Sequence, residues 1–187
     1  MKVKKAVDIC KKRNIIRLYD SDDGQWLSDG GVIYPLFELP EFTEDTICLA
    51  YDINIKKAAS MVITRDHNLP EGINFEDAAK DEKQVVEGPM DLNYRGQWLK
   101  PIITSQGIEF INGEYLEPLS DISDEGLLFF ERISDSGNKY FAVKQGLLIV
   151  AIIFPMRIID EEFVKEIQAF ATLCEASLHN KKSSLQL

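Results

Sequence analysis

Histidine and cysteine are scarce in this chain: its 187 residues include two histidines, His67 and His179, and three cysteines. Two distant histidines, one close to the C-terminus, do not support a catalytic triad, and no serine or cysteine sits in a nucleophile elbow. His67 stands alone beside Asp66 and reads as a surface residue rather than a ligand or base. Cys10, Cys48 and Cys174 are odd in number, far apart and set in apolar patterns. They are expected as buried free thiols of a reducing cytoplasm, without disulfide or metal spacing. Long apolar runs are absent too. The longest, Leu147–Phe154 (LLIVAIIF), has eight residues, against about 20 for a membrane-spanning helix. No apolar segment follows the basic stretch Met1–Arg13, so no secretory leader is expected. The glycines at 24, 30 and 31 lack the lysine of a phosphate-cradling loop and the strand–helix context of a dinucleotide fold. Asp20-Ser21-Asp22-Asp23-Gly24 has the carboxylates of a calcium loop in the wrong register: glycine falls at position 5, and position 12 is Gly31. An Asx-type hairpin turn into Trp26-Leu27 accounts for it better. Thirty-one acids offer many carboxylate pairs and single out none. The chain is therefore expected to be non-enzymatic, with no cofactor and no bound metal.

The densest apolar content lies between Leu127 and Pro155. Leu147–Phe154 has no alternation and fits a strand buried on both faces. Tyr140–Lys144 precedes it across a Gln145-Gly146 turn, and Leu127–Ile133 lies before the turn Asp135-Ser136-Gly137-Asn138. The three predict an antiparallel meander ended by Pro155. Asp160 then caps a helix with Phe163, Ile167, Phe170 and Cys174 on one stripe, expected to lie on that meander.

Upstream, Val3, Ala6, Val7 and Cys10 share a face of a basic amphipathic helix ending near Asn14, followed by strands at Ile15–Tyr19 and Gly31–Leu36. Thr43 caps a short helix containing Ile47, Cys48, Ala50 and Tyr51. Lys56–Thr64 reads as a strand, although Ala58-Ala59 suits a helix equally well. Residues 66–89 are polar, carry Pro70, Gly72 and Gly88, and read as a long loop or linker. Met90–Tyr94, Gln97–Thr104 and Gly107–Ile111 form a second meander. The expected fold is α+β: two antiparallel strand groups, a basic N-terminal helix and a longer C-terminal helix packed on the sheet. One domain over 1–187 is expected, with a subdivision into 1–65 and 90–180 as the alternative.

Charge is distributed unevenly. Seven cations against Asp8 alone give residues 1–17 a local charge of +6, leaving −16 for the rest of a chain of net charge −10. An acidic body repels nucleic-acid phosphate and attracts basic protein surfaces. The basic helix offers a contact to RNA or DNA, but reads more simply as a solvated face balancing that body. A homodimer through an apolar edge of the C-terminal meander is open, and no membrane partner is expected.

The strings KKAVDICKKRNIIRLYDSDDGQWLSDGGVIYPLF, GIEFINGEYLEPL and VKQGLLIVAIIFPMRIIDEEFV resemble a family of small proteins carried on prophages and integrative elements of gut bacteria. An anti-CRISPR inhibitor of the type II-A nuclease is placed in or near that group. The resemblance implies a cytoplasmic binding protein that engages the effector–guide RNA complex and blocks DNA binding or cleavage. Acidic side chains would stand in a basic channel as surrogates for phosphates and base edges. The residues proposed for that role are Asp20, Asp22, Asp23 and Asp29 around Trp26. A second acidic surface within Glu109–Glu131 includes Glu117, Asp121, Asp124 and Glu125. The alternatives are an accessory protein binding another basic partner, such as a recombinase or relaxase, and an enzyme with an unrecognised carboxylate site.

Overall fold

A computed structural model describes residues 1–121 and 126–184, the last five by backbone alone. Helix α1 (Val3–Arg13) buries Ala6, Val7, Ile9 and Cys10 and stops at Asn14, whose φ of 59° is left-handed. Asparagine tolerates that conformation well, so the helix ends where the sequence places it. Strands β1 (Ile15–Ser21), β2 (Gly24–Ser28) and β3 (Val32–Pro35) follow as an antiparallel meander. Helix α2 (Glu44–Ala50) begins in a reciprocal capping box between Thr43 and Thr46. Lys56–Thr64 divides between the two readings, helical at its start and a strand at its end. Asn54 caps a helical turn, α3 (Ile55–Ala58), and β4 (Val62–Asp66) pairs parallel with β1.

The segment 66–89 also departs from expectation: it contains β5 (Lys83–Glu87). Strands β6 (Leu92–Tyr94), β7 (Gln97–Thr104) and β8 (Gly107–Asn112) form the expected meander, followed by a 3-10 helix over Gly113–Leu119. The central meander is β9 (Leu128–Ile133), β10 (Lys139–Gln145) and β11 (Leu148–Ile153).

The two strand groups are not separate. They belong to one mixed sheet ordered β4-β1-β2-β3-β11-β10-β9-β5-β7-β6, with β8 on β7. Strand β11 joins the N-terminal meander through Ile152↔Ile33 and Ile153↔Val32. Strand β5 bridges the other two groups, pairing with β9 through Lys83–Val85 and with β7 through Val86 and Glu87. Sequence proximity could not show this, because every one of these joints pairs strands distant in the chain.

From Ile149 to Ile153 strand β11 is buried on both faces, as its apolar run predicts, whereas Leu147 and Leu148 at the start of that run are exposed. Ala151 and Ile153 enter one cluster with residues of α1, β1 and Phe141; Ile149 and Ile152 enter another with Tyr19, Trp26 and Tyr140. The register shifts between Val143 and Lys144, from Val143↔Ala151 to Lys144↔Ile149. That extra residue is a β-bulge, and it places Ile149 and Ile152 in the same cluster despite their odd spacing. The second cluster is covered by a segment of the expected loop, through Leu69, Ile73 and Phe75.

The chain divides into two compact units, Met1–Met156 and Arg157–Leu187. The second holds α4 (Glu161–Ser184), begun by Asp160, whose Oδ1 accepts from Phe163 N at 2.8 Å. Phe163 is buried, but Ile167, Phe170, Cys174 and Leu178 are exposed. Within the first unit both faces of the β9–β11 meander are buried, one with α1 and Tyr115 and Leu119 of the 3-10 helix, the other with Leu69, Ile73 and Phe75. Of the cysteines only Cys10 is buried; Cys48 is half-buried and Cys174 exposed, and all three are free.

Candidate binding surface

Strands β1 and β2 meet in the pair Ser21↔Gly24, which puts Asp22 and Asp23 at the hairpin tip, both exposed. Gly24 has φ +134°, and a Cβ there would lie 2.9 Å from a Phe37 ring carbon. Glycine is thus required on both conformational and steric grounds.

Asp20, one residue before this turn, is engaged inside the protein. It accepts from Arg65 Nε at 2.9 Å, Gln25 Nε2 at 2.9 Å and His67 Nδ1 at 3.0 Å. Arg65 also reaches Glu41 at 2.7 Å. Partial burial works to raise the Asp20 carboxyl, but the hydrogen bonds from Gln25, Arg65 and His67 outweigh it and hold the group below its ordinary value. Asp20 therefore ties β1 to the end of β4.

Asp29 does not share a rim with Asp22 and Asp23, whereas Trp26 lines a cleft with Asp23 from a buried position. Trp26 is 3% exposed, its ring meeting Phe37 and Phe75 edge-on at centroid distances of 5.1 and 5.0 Å. Its Nε1 is buried and has no hydrogen-bond partner among the described residues. Asp29 lies beyond the far end of β2 with a fully buried side chain. Its Oδ1 accepts from Gly31 N at 2.8 Å and Val32 N at 3.0 Å, closing the turn into β3. Arg13 Nε stands 4.0 Å from its other oxygen. Burial, and next the Asp29 charge, pushes the Cys10 thiol and the Tyr34 and Tyr115 phenols upward. These groups are structural: Asp29 orders a turn beneath α1.

The second acidic block is matched by α1. Asp121 lies 2.5 Å from Lys2 Nζ, Glu117 3.7 Å from Lys5 Nζ and Glu114 3.2 Å from Lys12 Nζ. The basic helix is thus partly neutralised within the molecule. Asp124 and Glu125 lie outside the described residues.

A cleft of about 430 Å³ opens beside the hairpin tip, with Asp23, Trp26, Phe37, Phe75, Glu76 and Asp77 in its lining. Its outer wall is the segment 72–77, fixed at four points. Asp135 N donates to Gly72 O at 3.1 Å, Asn74 N to Tyr140 Oη at 2.9 Å, Arg132 Nη1 to Asn74 O at 2.9 Å, and Ile149 N to Asp77 Oδ1 at 2.8 Å. Farther along, Glu82 accepts from Arg132 Nε at 2.9 Å and Lys144 Nζ at 2.5 Å, anchoring the chain before it enters β5.

Strand directions bring several exposed groups to the same end of the sheet. The β1–β2 turn, the exit of β3 at Phe37 and the β10–β11 turn at Leu147 all lie there, since β1, β3 and β10 run antiparallel to β2 and β11. Asp22, Asp23, Glu76 and Asp77 are exposed, and none forms an ion pair among the described residues. Phe37, Leu147 and Leu148 are exposed apolar groups of the same end. Phe75, Glu76 and Asp77 escaped the sequence reading as members of a polar loop. Leu69, Ile73 and Phe75, apolar residues recurring in that stretch, are the signal that it packs.

Among the described residues no three His, Cys, Asp or Glu side chains gather as a metal group, and no helix is long and apolar enough to cross a membrane. No family model matches the sequence, and no curated protein or solved structure is detectably similar to it.

Proposed function

We propose that this chain is a non-enzymatic binding protein of a phage or mobile element, which docks the acidic end of its sheet on a basic surface of another protein. The observation that carries the reading is the uncompensated rim of Asp22, Asp23, Glu76 and Asp77 beside exposed Phe37, Leu147 and Leu148. Carboxylates of one sign steer a cationic partner, and exposed aromatic and aliphatic groups among them supply area to bury. The rim rests on paired strands and a segment held at four points, so little ordering is needed on binding.

The sequence resemblance directs the choice of partner to a type II-A CRISPR nuclease loaded with guide RNA. Such an effector holds its heteroduplex in a positively charged channel. Carboxylates of the rim would occupy positions that phosphates otherwise take. Of the residues singled out by sequence, we assign this role to Asp22 and Asp23; Asp20 and Trp26 support the surface from within, and Asp29 orders the turn at the other end of β2.

The test is cleavage of target DNA by the guide-loaded nuclease across a titration of this protein, with size-exclusion chromatography of the mixture. Dose-dependent inhibition and a stable complex are expected. Asp22→Lys combined with Asp23→Lys is expected to abolish both while leaving the thermal transition in place. Full inhibition by the folded double variant would exclude this surface. The absence of inhibition across several such nucleases would exclude the partner.

A further inference from the structure

We infer that α4 pairs with the α4 of a second copy of this chain, antiparallel, as a two-helix coiled coil. The inference is independent of the acidic rim and its partner. Among the described residues α4 is the only element of regular structure in the unit Arg157–Leu187, so that unit offers its apolar side chains nothing to pack on. Val164, Ile167, Phe170, Leu173 and Leu178 are between 39% and 67% exposed. Single exposed apolar groups are ordinary, but a contiguous stripe of five marks an interaction surface.

The spacing within the stripe selects the occupant. Ile167, Phe170, Cys174 and Ser177 follow one another at intervals of three, four and three, the seam of a coiled coil, with Val164 and Leu178 on one flank and Leu173 on the other. Phe170, Leu173, Cys174 and Ser177 stand at i, i+3, i+4 and i+7 and, with Leu178, line a hollow of about 360 Å³. Four residues at that spacing form the hole into which a side chain of a facing helix inserts. Two of them, Cys174 and Ser177, are small, which leaves room for a large knob. The Ser177 hydroxyl already donates to Leu173 O at 2.9 Å, so an apolar knob strands no polar group there.

A second α4 running antiparallel fills the hollow on both copies at once. Setting Phe170 over Cys174 of the second copy also sets Ile167 over its Ser177, Val164 beside its Leu178, and the two Leu173 side chains together. Two-fold symmetry repeats each contact. Large side chains of the seam thus meet small ones. A parallel pair would instead stack Phe170 on Phe170 and Cys174 on Cys174, crowding one layer and leaving the next hollow. It would also bring two acidic first turns, each with Glu161 and Glu162, side by side. The stripe offers on the order of 600 Å² on each copy, so a pair covers about 1,200 Å², the lower limit for a specific association. That extent suits a reversible dimer of micromolar affinity.

The experiment is sedimentation equilibrium of the full chain under reducing conditions, from about 1 to about 500 µM, a range that brackets such an affinity. A monomer–dimer equilibrium is expected. The emission of Trp26 and Trp98, both in the first unit, reports whether each variant keeps its fold. Phe170→Ala removes the knob and is expected to raise the dissociation constant by about tenfold or more, with tryptophan emission unchanged. Cys174→Phe sets phenylalanine against phenylalanine in the antiparallel pair and is expected to weaken it by about tenfold. Phe170→Cys combined with Cys174→Phe exchanges large and small, and is expected to return the constant to within about threefold of wild type. A chain that stays monomeric throughout the range overturns the proposal, as does a Phe170→Ala variant that pairs like wild type. A Cys174→Phe variant that pairs as tightly as wild type, or a folded exchange variant that fails to recover, overturns it as well.

Discussion

Glu82 illustrates how much a single side chain holds in this molecule. It is 14% exposed and neutralises two cations, Arg132 and Lys144, whose side chains are 3% and 5% exposed. Burial alone raises its carboxyl, but the hydrogen bonds from Lys144 and Arg132 outweigh this and hold it below its ordinary value. Removing one member of a buried ionic group leaves uncompensated charge, so Glu82→Gln is expected to cost about 3–5 kcal/mol in urea unfolding. The pH dependence follows with a definite sign. A lowered folded-state pKa stabilises above the unfolded value, near 4.5, and that contribution is lost as pH falls through the folded value. The difference between wild type and Glu82→Gln should therefore shrink as the medium is acidified below about 4.5. Gly31 presents a steric counterpart. A Cβ there would stand 2.2 Å from Tyr115 Oη, and Tyr115 is 4% exposed. Gly31→Ala is expected to lower stability by about 1–3 kcal/mol in thermal unfolding, the usual cost of overpacking.

At the scale of elements, those dictated by local pattern were legible in the sequence. Helix α1, the β6–β8 hairpins and the β9–β11 meander follow from apolar periodicity and from turns such as Asp135-Ser136-Gly137-Asn138. Strand β5 was not legible: Lys83–Glu87 shows only Val85 buried, and its strand character comes from partners on both sides. The 69–77 segment was missed because it has no regular hydrogen-bonded period, although it packs three apolar side chains on the sheet. Phe75 is half-buried there, and truncation removes its contact with Trp26. Phe75→Ala is expected to cost about 2 kcal/mol and to change the near-ultraviolet circular dichroism of Trp26. An unchanged spectrum would show that the segment does not pack on the indole.

For the whole molecule the governing quantity is charge and its placement. Part of the +6 of residues 1–17 is spent within the fold, on Glu114, Glu117 and Asp121. At the hairpin end Asp22, Asp23, Glu76 and Asp77 form no ion pair among the described residues. Association with a basic partner is expected to slow at least tenfold between low salt and about 0.5 M, where the screening length falls to a few ångströms. Stopped-flow association rates against ionic strength measure this. A rate independent of salt would mean that the acidic rim does not guide binding.

Local pattern was enough to specify the α+β class, the position of strand β11 and the turn at Asp22-Asp23. Each depends on residues adjacent in the chain, through periodicity, capping and turn chemistry. Which acids remain available follows from the folded arrangement alone. Asp20 and Asp29 look the same as Asp22 and Asp23 in a sequence. The first is claimed by Arg65 from a parallel strand 45 residues away, and the second is buried beneath α1 to hold a turn. Whether a carboxylate is free depends on partners distant in the chain, and local pattern carries no record of them.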